Sequence, residues 1–305
     1  MTIVVFGSAN IDLSVSVHTL PISGETVLGS DYRIGLGGKG LNQAVAASRL
    51  YQGTVRLIAS IGDDHFGELI NCQLERFGLS REGIKIDPDN PTGLALIHID
   101  PSGQNAITVS GGANLCWSVT DLRDEFFEKV TVGLCQLETP TSVTYHALRN
   151  IQSAGAITIL DPAPIPQGGI DDVYPVVDIL TPNQKEAEKL LGYELNDVST
   201  AVAGATELCR KKALRAVIIT MAEQGVVFSE NGHDGVWVRA RNVNAVDTVG
   251  AGDCFNGALG SALAEGESIF DAITFAITAA SVSVTQGGAA DSMPTRSCVD
   301  AILSV

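Results

Sequence analysis

The chain has 305 residues, of which 45% are apolar and 18% charged, a globular composition with room for one large α/β domain or two modest ones. The formal net charge of −16 argues against nucleic acid and anionic membrane surfaces as partners, because the long-range field repels phosphates. A phosphate-bearing substrate has to be held by local devices instead: helix N-termini, backbone N–H groups, single basic residues or a metal ion.

The six cysteines, Cys72, Cys116, Cys135, Cys209, Cys254 and Cys298, are scattered and form no C-x-x-C pair. They read as free thiols in a reducing cytosol, which predicts a cytoplasmic protein. The N-terminus, MTIVVFGSAN, has no basic leader region and reads as a first strand rather than a signal peptide. No apolar run reaches ~18 residues, so no membrane span is expected.

In chain order, the candidate buried strands are Ile3–Phe6, Val55–Ser60, Val130–Leu137, Ile157–Leu160, Ile179–Thr181 and Ala216–Thr220. Most are nearly continuous apolar runs, as strands covered on both faces should be. Helical stretches separate most of them, which predicts an α/β fold with a mainly parallel sheet between two helical layers, a three-layer αβα sandwich. Residues 13–34 interrupt this rhythm with the alternation Leu13, Val15, Val17 and a turn region at Pro21–Gly24. Residues 92–110 do the same, with two short strands around Pro101-Ser102-Gly103. Together they predict a small antiparallel sheet, read either as a lid over a cleft or as surface hairpins without a role. The core is then expected over residues 1–12, 35–91 and 111–305, and the lid over 13–34 and 92–110. Towards the end, Phe255, Leu259, Ala262 and Leu263 fall on one helical face, and a further helix runs from about Ile269 to Val284.

Two glycine-rich stretches carry the chemistry. The first, Gly35-Leu36-Gly37-Gly38-Lys39-Gly40-Leu41-Asn42, precedes a small-residue helix over Gln43–Leu50. Glycines let backbone approach a ligand, and the helix that follows offers unpaired N–H groups and a positive dipole end. Gly35, Gly37 and Gly40 also satisfy G-x-G-x-x-G. The match is weak, because only Tyr32-Arg33-Ile34 precedes it where a dinucleotide fingerprint follows the first buried strand. The second stretch runs from Asp247 to Phe255 as DTVGAGDCF and opens the helix containing Phe255. Gly250 and Gly252 permit a tight turn that aims N–H groups at one spot, and Asp253 lies beside that anion hole. A carboxylate there is placed to accept a proton from a hydroxyl while the hole steadies charge on phosphoryl oxygens; the alternative is a first-turn capping charge.

GGKGLNQAVAAS resembles the N-terminal signature of the ribokinase (PfkB) family of carbohydrate kinases, and DTVGAGDCFNGAL resembles the C-terminal one. GSANIDL, SGETVLG, GDDHFG, QLETP and TPNQKEAEKLLG look like further segments of that family in the expected order, so the resemblance spans essentially the whole chain.

The resemblance implies a ribokinase-like fold and ATP-dependent phosphorylation of a primary hydroxyl of a small sugar, D-ribose first. Fructose, a ketodeoxy sugar acid, or a nucleoside such as adenosine or pseudouridine are the alternatives. A NAD-binding oxidoreductase and a non-catalytic sugar-binding protein are the remote ones. It implies Asp253 as catalytic base, with Gly250, Ala251 and Gly252 forming the anion hole. On the sugar side it implies Asn10, Asp12, Gly38, Lys39, Gly40, Asn42 and Glu138. On the ATP side it implies Asn183, Thr220, Ala222, Gly225 and Gly252. Glu186 would organise Mg²⁺ through water, although Asn183 and Glu186 also fit a helix capping box. Asp247, Val249, Ser283, Gln286, Gly288 and Ser292 align with a monovalent-cation site, expected to hold K⁺. A homodimer through the lids is also implied. Ala222 stands where the family usually has Gly, and Cys254 where Thr is common. No P-loop, nucleophile elbow or zinc-protease motif is present, and the five histidines show no metal spacing.

Overall fold

Alternation within the first strand sets the architecture. Ile3 and Val5 are fully buried in one apolar cluster, while Val4 and Phe6 are fully buried in another on the opposite face. A strand sealed on both sides has to lie inside a sheet covered twice, and that is the arrangement seen in the computed structural model, which describes residues 1–102 and 104–304. Gly103, the last residue of the expected Pro101-Ser102-Gly103 turn, lies outside the described residues.

The chain runs through β1 (Thr2–Phe6), β2 (Asn10–Val17), β3 (Gly29–Gly37), α1 (Lys39–Leu50), β4 (Thr54–Gly62), α2 (His65–Leu74) and β5 (Ile84–Asp87). It continues through β6 (Gly93–Ile99), β7 (Asn105–Ser110), β8 (Val130–Cys135), α3 (Thr141–Ser153), β9 (Ile157–Leu160), β10 (Ile179–Leu180) and α4 (Gln184–Leu191). The last part holds α5 (Val198–Lys212), β11 (Ala216–Thr220), β12 (Val226–Glu230), β13 (Val236–Val238), α6 (Ala251–Ala264), α7 (Ile269–Ser283) and α8 (Arg296–Leu303). Among the described residues no helix is long and apolar enough to cross a membrane.

The main sheet has the order β13-β12-β11-β10-β9-β8-β1-β4-β5. Its pairs from β11 to β5 are parallel, and β12 and β13 add an antiparallel edge. All six expected strands lie in it. One core packs α1, α6 and α7 against the face carrying Ile3 and Val5; the other packs α3 and α5 against the face of Val4 and Phe6. β8 stops at Cys135 rather than reaching Leu137, because Leu137 N–H leaves the strand ladder and donates to Ala163 O at 3.0 Å.

The second sheet has the order β3-β2-β6-β7. It is mixed rather than antiparallel: β2 pairs antiparallel with β3, and β6 with β7, but β2 and β6 are parallel. The reason is the connection. After β3 the chain traverses α1, β4, α2 and β5 before returning, so β6 enters alongside β2 by a crossover and not by a hairpin. The strands also run across the boundaries expected near residues 12 and 35, since β2 begins at Asn10 and β3 continues to Gly37.

α1 starts at Lys39, four residues earlier than the sequence suggested, so Lys39 to Asn42 form a first helical turn and not a loop. Gly38, with φ 88°, supplies the left-handed backbone that caps it. α1 and α6 then pack closely where Gly257 meets Ala46. A Cβ at 257 would lie 2.5 Å from Ala46 Cβ and 2.6 Å from Gln43 O. That contact brings the first turns of two helices to one place.

Candidate active site

The place lies at the C-terminal ends of the parallel strands, where open α/β sheets bind their ligands. Gly7 to Ala9 leave β1, Gln136 to Glu138 leave β8, and Asp161 leaves β9.

Asp253 is the third residue of α6, after Gly250 turns the chain with φ 77°. It is buried, and its carboxylate is held from α1: Asn42 Nδ2 donates to Oδ2 at 2.9 Å and Gln43 Nε2 donates to Oδ1 at 3.2 Å. Among the described residues the N–H groups of Gly252 and Asp253 have no acceptor, whereas Ala251 N–H already reaches Thr248 O at 3.3 Å. A Cβ added to Gly252 would meet nothing within 4 Å, so the turn is open on that side. Burial pushes the Asp253 carboxyl up to about 6, with the Lys39 ammonium and the Asn42 hydrogen bond opposing the rise and Asp161 and Glu138 adding to it.

Lys39 lies among carboxylates. Its Nζ is 3.3 Å from Asp161 Oδ2, and its backbone N–H donates to Glu138 Oε2 at 3.0 Å. Burial lowers its proton affinity, but Asp161, Asp253, Glu138 and Glu186 together outweigh that and hold the ammonium charged. Glu138 Oε2 also accepts from the Ser8 hydroxyl. Asp12 lies over Gly37 on the adjacent strand, where burial, Glu138 and Asp253 raise its carboxyl to about 7. Asn10, two residues earlier on the same face of β2, is buried, and its Oδ1 accepts from Asn114 Nδ2 at 2.8 Å. Gly40 lies where its α-carbon crosses Gly7 and Ser8, with no room for a Cβ. The expected sugar-side residues therefore come together around Asp253.

Four participants went unnoticed in the sequence. Gln43 and Gln136 are fully buried, and Gln136 Nε2 donates to Gln43 Oε1 at 2.6 Å. Asp161 is buried and accepts from Lys39 and, at 3.1 Å, from Gln43 Nε2; burial raises it to about 6. Asn114 also grips the Ala9 backbone at 2.9 and 3.2 Å. The signal that singled out Glu138, a carboxylate just past a parallel strand, applies equally to Asp161 after Ile157–Leu160.

Apart from Gly252 in α6, the expected ATP-side residues lie at or just past the ends of β10 and β11. Asn183 caps α4 and forms the full capping box with Glu186: Asn183 N–H and Nδ2 each donate to a Glu186 oxygen at 2.8 Å, and Glu186 N–H donates to Asn183 Oδ1 at 2.9 Å. Thr220 bridges to Asn183, and Met221 N–H donates to Gly225 O at 2.8 Å, closing the turn that holds Ala222. Ala222 takes φ 48°, the left-handed conformation the family's usual Gly adopts without cost. Cys254 is fully buried against Ser283 and does not face the site, and burial raises its thiol to about 12.

Of the residues assigned to a monovalent cation, Asp247 ties two segments together: Oδ1 accepts from Val249 N–H at 3.0 Å and Oδ2 from Gly288 N–H at 2.9 Å. Gln286 N–H donates to Ser283 O at 3.1 Å, while the Ser283 and Ser292 hydroxyls donate to carbonyls three residues back. Among the described residues no three His, Cys, Asp or Glu side chains gather as a metal-ligand cluster.

The G-x-G-x-x-G stretch spans the end of β3, in the small sheet, and the start of α1. It does not follow a central strand, so the dinucleotide reading loses its structural basis. What remains is a buried carboxylate at an open helix start, among polar side chains at the C-terminal edge of an α/β sheet, an arrangement suited to transferring a group to an alcohol. Residues 1–296 match the model of the pfkB family carbohydrate kinase, and the chain belongs to that family of ATP-dependent sugar kinases. It is 38% identical to a ribokinase of Haemophilus influenzae over 297 residues, covering 97% of this chain and 96% of the relative. Among solved structures it is similar to a ribokinase of Thermotoga maritima, with a TM-score of 0.90, 33% identity and coverage of 100% and 99% of the two chains. It is also similar to an Arabidopsis thaliana ribokinase complexed with ribose and ATP, with a TM-score of 0.89, 30% identity and coverage of 99% and 98%.

Proposed function

We propose that this kinase phosphorylates D-ribose at its primary hydroxyl, with Asp253 as the general base. The observation that carries the reading is the Asp253 carboxylate, held by Asn42 and Gln43 beside the unpaired amides of Gly252 and its own residue. The ribose preference is supported by the relatives named ribokinase, one of them complexed with ribose and ATP.

Asn10, Asp12, Lys39, Asn42 and Glu138 orient the sugar so that its primary hydroxyl meets Asp253. Asp253 takes the hydroxyl proton, the freed oxygen forms a bond to the γ-phosphorus of ATP, and the bond from that phosphorus to the β–γ bridging oxygen breaks to release ADP. The Gly252 and Asp253 amides receive the charge on the transferring phosphoryl oxygens. Positioning and electrostatics supply the rate, since phosphoryl transfer needs little covalent help.

Mg²⁺ would be held through water by Glu186, and when bound it neutralises phosphate charge. Glu186 fits this role because its field reaches Lys39 and Asp161 while it stays partly open to solvent. K⁺ would lie at Asp247, Val249, Ser283, Gln286, Gly288 and Ser292, where the Asp247 carboxylate ties the segments around Val249 and Gly288 together. The small sheet acts as a lid that excludes water. Its face opposite Asp12 carries a stripe in register, Val15 and Tyr32 beside Leu13, Ile34 and Leu96, with Tyr32 68% exposed. Such a face suits a homodimer formed through the lids. A cytoplasmic setting fits the six free cysteines.

The test is ADP release across ribose, fructose, a ketodeoxy sugar acid, adenosine and pseudouridine, with and without K⁺, for the wild type and Asp253→Asn. Selective turnover of ribose, and a loss of at least ~10² in kcat for the variant with binding retained, are expected. Near-normal turnover by the variant would overturn the base, and selectivity for another acceptor would overturn ribose.

A further inference from the structure

Two buried carboxylates share one amide. The Gln43 side-chain nitrogen has two N–H bonds, one directed to Asp253 Oδ1 at 3.2 Å and the other to Asp161 Oδ2 at 3.1 Å. The amide is fixed in that sense from behind, because Gln136 Nε2 donates to Gln43 Oε1 at 2.6 Å. A flipped Gln43 would set its oxygen against two carboxylates and its NH₂ against another NH₂. Asp161 Oδ2 accepts at the same time from Lys39 Nζ at 3.3 Å. The chain Gln136–Gln43–Asp161–Lys39, with a branch from Gln43 to Asp253, therefore joins α1 and α6 to the ends of β8 and β9, and it leads to Lys39 on one arm and Asp253 on the other.

We infer that Gln43 and Asp161 form a positioning unit for the transfer: Asp161 fixes the Lys39 ammonium and, through the shared Gln43 amide, sets how readily Asp253 takes a proton. The inference rests on Asp253 being the base. Neither Gln43 nor Asp161 touches the reacting atoms. The two act on Asp253 in opposite senses. The Gln43 N–H donates to the carboxylate and so stabilises it, whereas the Asp161 charge opposes it and favours the protonated form. The remaining charged and titratable groups that bear on Asp253 are Lys39 from α1, Glu138 from beyond β8, Asp12 from β2 and its neighbour Cys254 in α6. Glu138, Asp12 and Cys254 keep their partners after a change at 43 or 161, and Lys39 loses only its Asp161 contact in Asp161→Asn.

The opposed senses give a test that a merely structural role would not reproduce. In Asp161→Asn the side chain keeps its shape and can still accept from Gln43, but its charge is gone. In Gln43→Leu the donor is gone and the volume is nearly kept. The readout is the acid limb of kcat/KM against pH for ribose phosphorylation, with thermal melts confirming the fold. The limb is expected to move down by at least ~0.5 pH unit in Asp161→Asn and up by a similar amount in Gln43→Leu, modest beside the 1–3 units a close charge produces. KM for the sugar is expected to rise in Asp161→Asn as Lys39 loses its anchor, while in Gln43→Leu the loss falls mainly on kcat. An unmoved limb in folded Asp161→Asn overturns the inference, as do limbs that move in the same direction. If Gln43→Leu does not fold, the Asp161→Asn limb alone decides. Asp253→Asn run in parallel separates the two levels: if it stays active, the base assignment fails, and if it is inactive while Asp161→Asn leaves the limb unmoved, only the positioning unit fails.

Discussion

Asn42 Nδ2 lies 2.9 Å from Asp253 Oδ2, a contact that spans 211 positions of sequence and joins the first turns of α1 and α6. Two short stretches at opposite ends of the chain thus become one site. The other end of the same amide, Asn42 Oδ1, is buried with no partner among the described residues, so the residue is held for its donor and its place rather than for full satisfaction of its own groups.

Asn42→Ala should therefore act on proton affinity. The Asn42 hydrogen bond holds the Asp253 carboxyl below where burial alone would set it. Removing it raises that value above about 6, so turnover falls much further at pH 6 than at pH 8. A pH–rate profile of kcat/KM checks this. A uniform loss at every pH would assign Asn42 to sugar binding alone.

Gly257→Ala should separate the two helices. Its new methyl would lie 2.5 Å from Ala46 Cβ and 2.6 Å from Gln43 O, and neither backbone-bound neighbour can move independently. Overpacking of this kind costs about 1–3 kcal/mol, against a gain of up to ~1 kcal/mol from replacing a helical Gly. Turnover should drop by up to ~10², since an ångström of misplacement at the base suffices for that. Gly260→Ala, which meets only the flexible end of Leu134 at 3.2 Å, is the comparison and should remain near wild type in both melting and turnover.

Stability should fall as the pH rises from 5 to 8. Asp253 and Asp161 are raised from 3.8 to about 6, and Asp12 from 3.8 to about 7. Between the unfolded and folded values the native protein binds protons that the unfolded chain does not, so ν_N exceeds ν_U and the slope of unfolding free energy with pH is negative. The contribution is full below 3.8 and lost through about 6 to 7. Carboxylates held low, such as Asp64 by its hydrogen bonds to Thr92 despite burial, act in the opposite sense, but below this window. Thermal midpoints of the ligand-free protein across pH 5–8 check the sign, and a midpoint that climbs over this range would contradict it.

Leu96→Glu should split the proposed dimer. Leu96 is 39% exposed at the centre of the outward stripe, opposite Leu13 in register. Sedimentation velocity is expected to show a dimer for the wild type and a monomer for the variant. A wild-type monomer at tens of micromolar would remove the proposal.

The main sheet was legible because its strands are sealed on both faces: Ile3–Phe6 and Ala216–Thr220 announce themselves by unbroken apolar character. β5, β12 and β13 were not expected: IKID and VWV are partly exposed and too short to show a period, whereas VVFSE is buried but was not separated from the strand before it. The small sheet was legible as strands but not in its directions, since periodicity carries no information on whether a partner returns by hairpin or crossover. Within the site, the residues of the two glycine-rich stretches could be found from local pattern. Gln136 and Asn114 could not, because their roles come only from what long-range packing sets against them. Ala222 shows a third case: the side chain departs from the family's usual Gly while the backbone keeps the left-handed turn, at a strain on the order of 1 kcal/mol.

Asn10 and Asp12 open a strand that leaves the core only four residues after Phe6 and ends at Val17 on the far side of the small sheet. With the sugar held at Asn10 and Asp12 as proposed, β2 would be a lever pivoting on the substrate. A tilt on the order of 10° at Asn10, carried along seven steps of ~3.3 Å, sweeps Val17 through about 4 Å while the pivot hardly shifts. Contacts too small to notice beside a bound sugar would thus be magnified at the far end of the strand, where Val17 is packed.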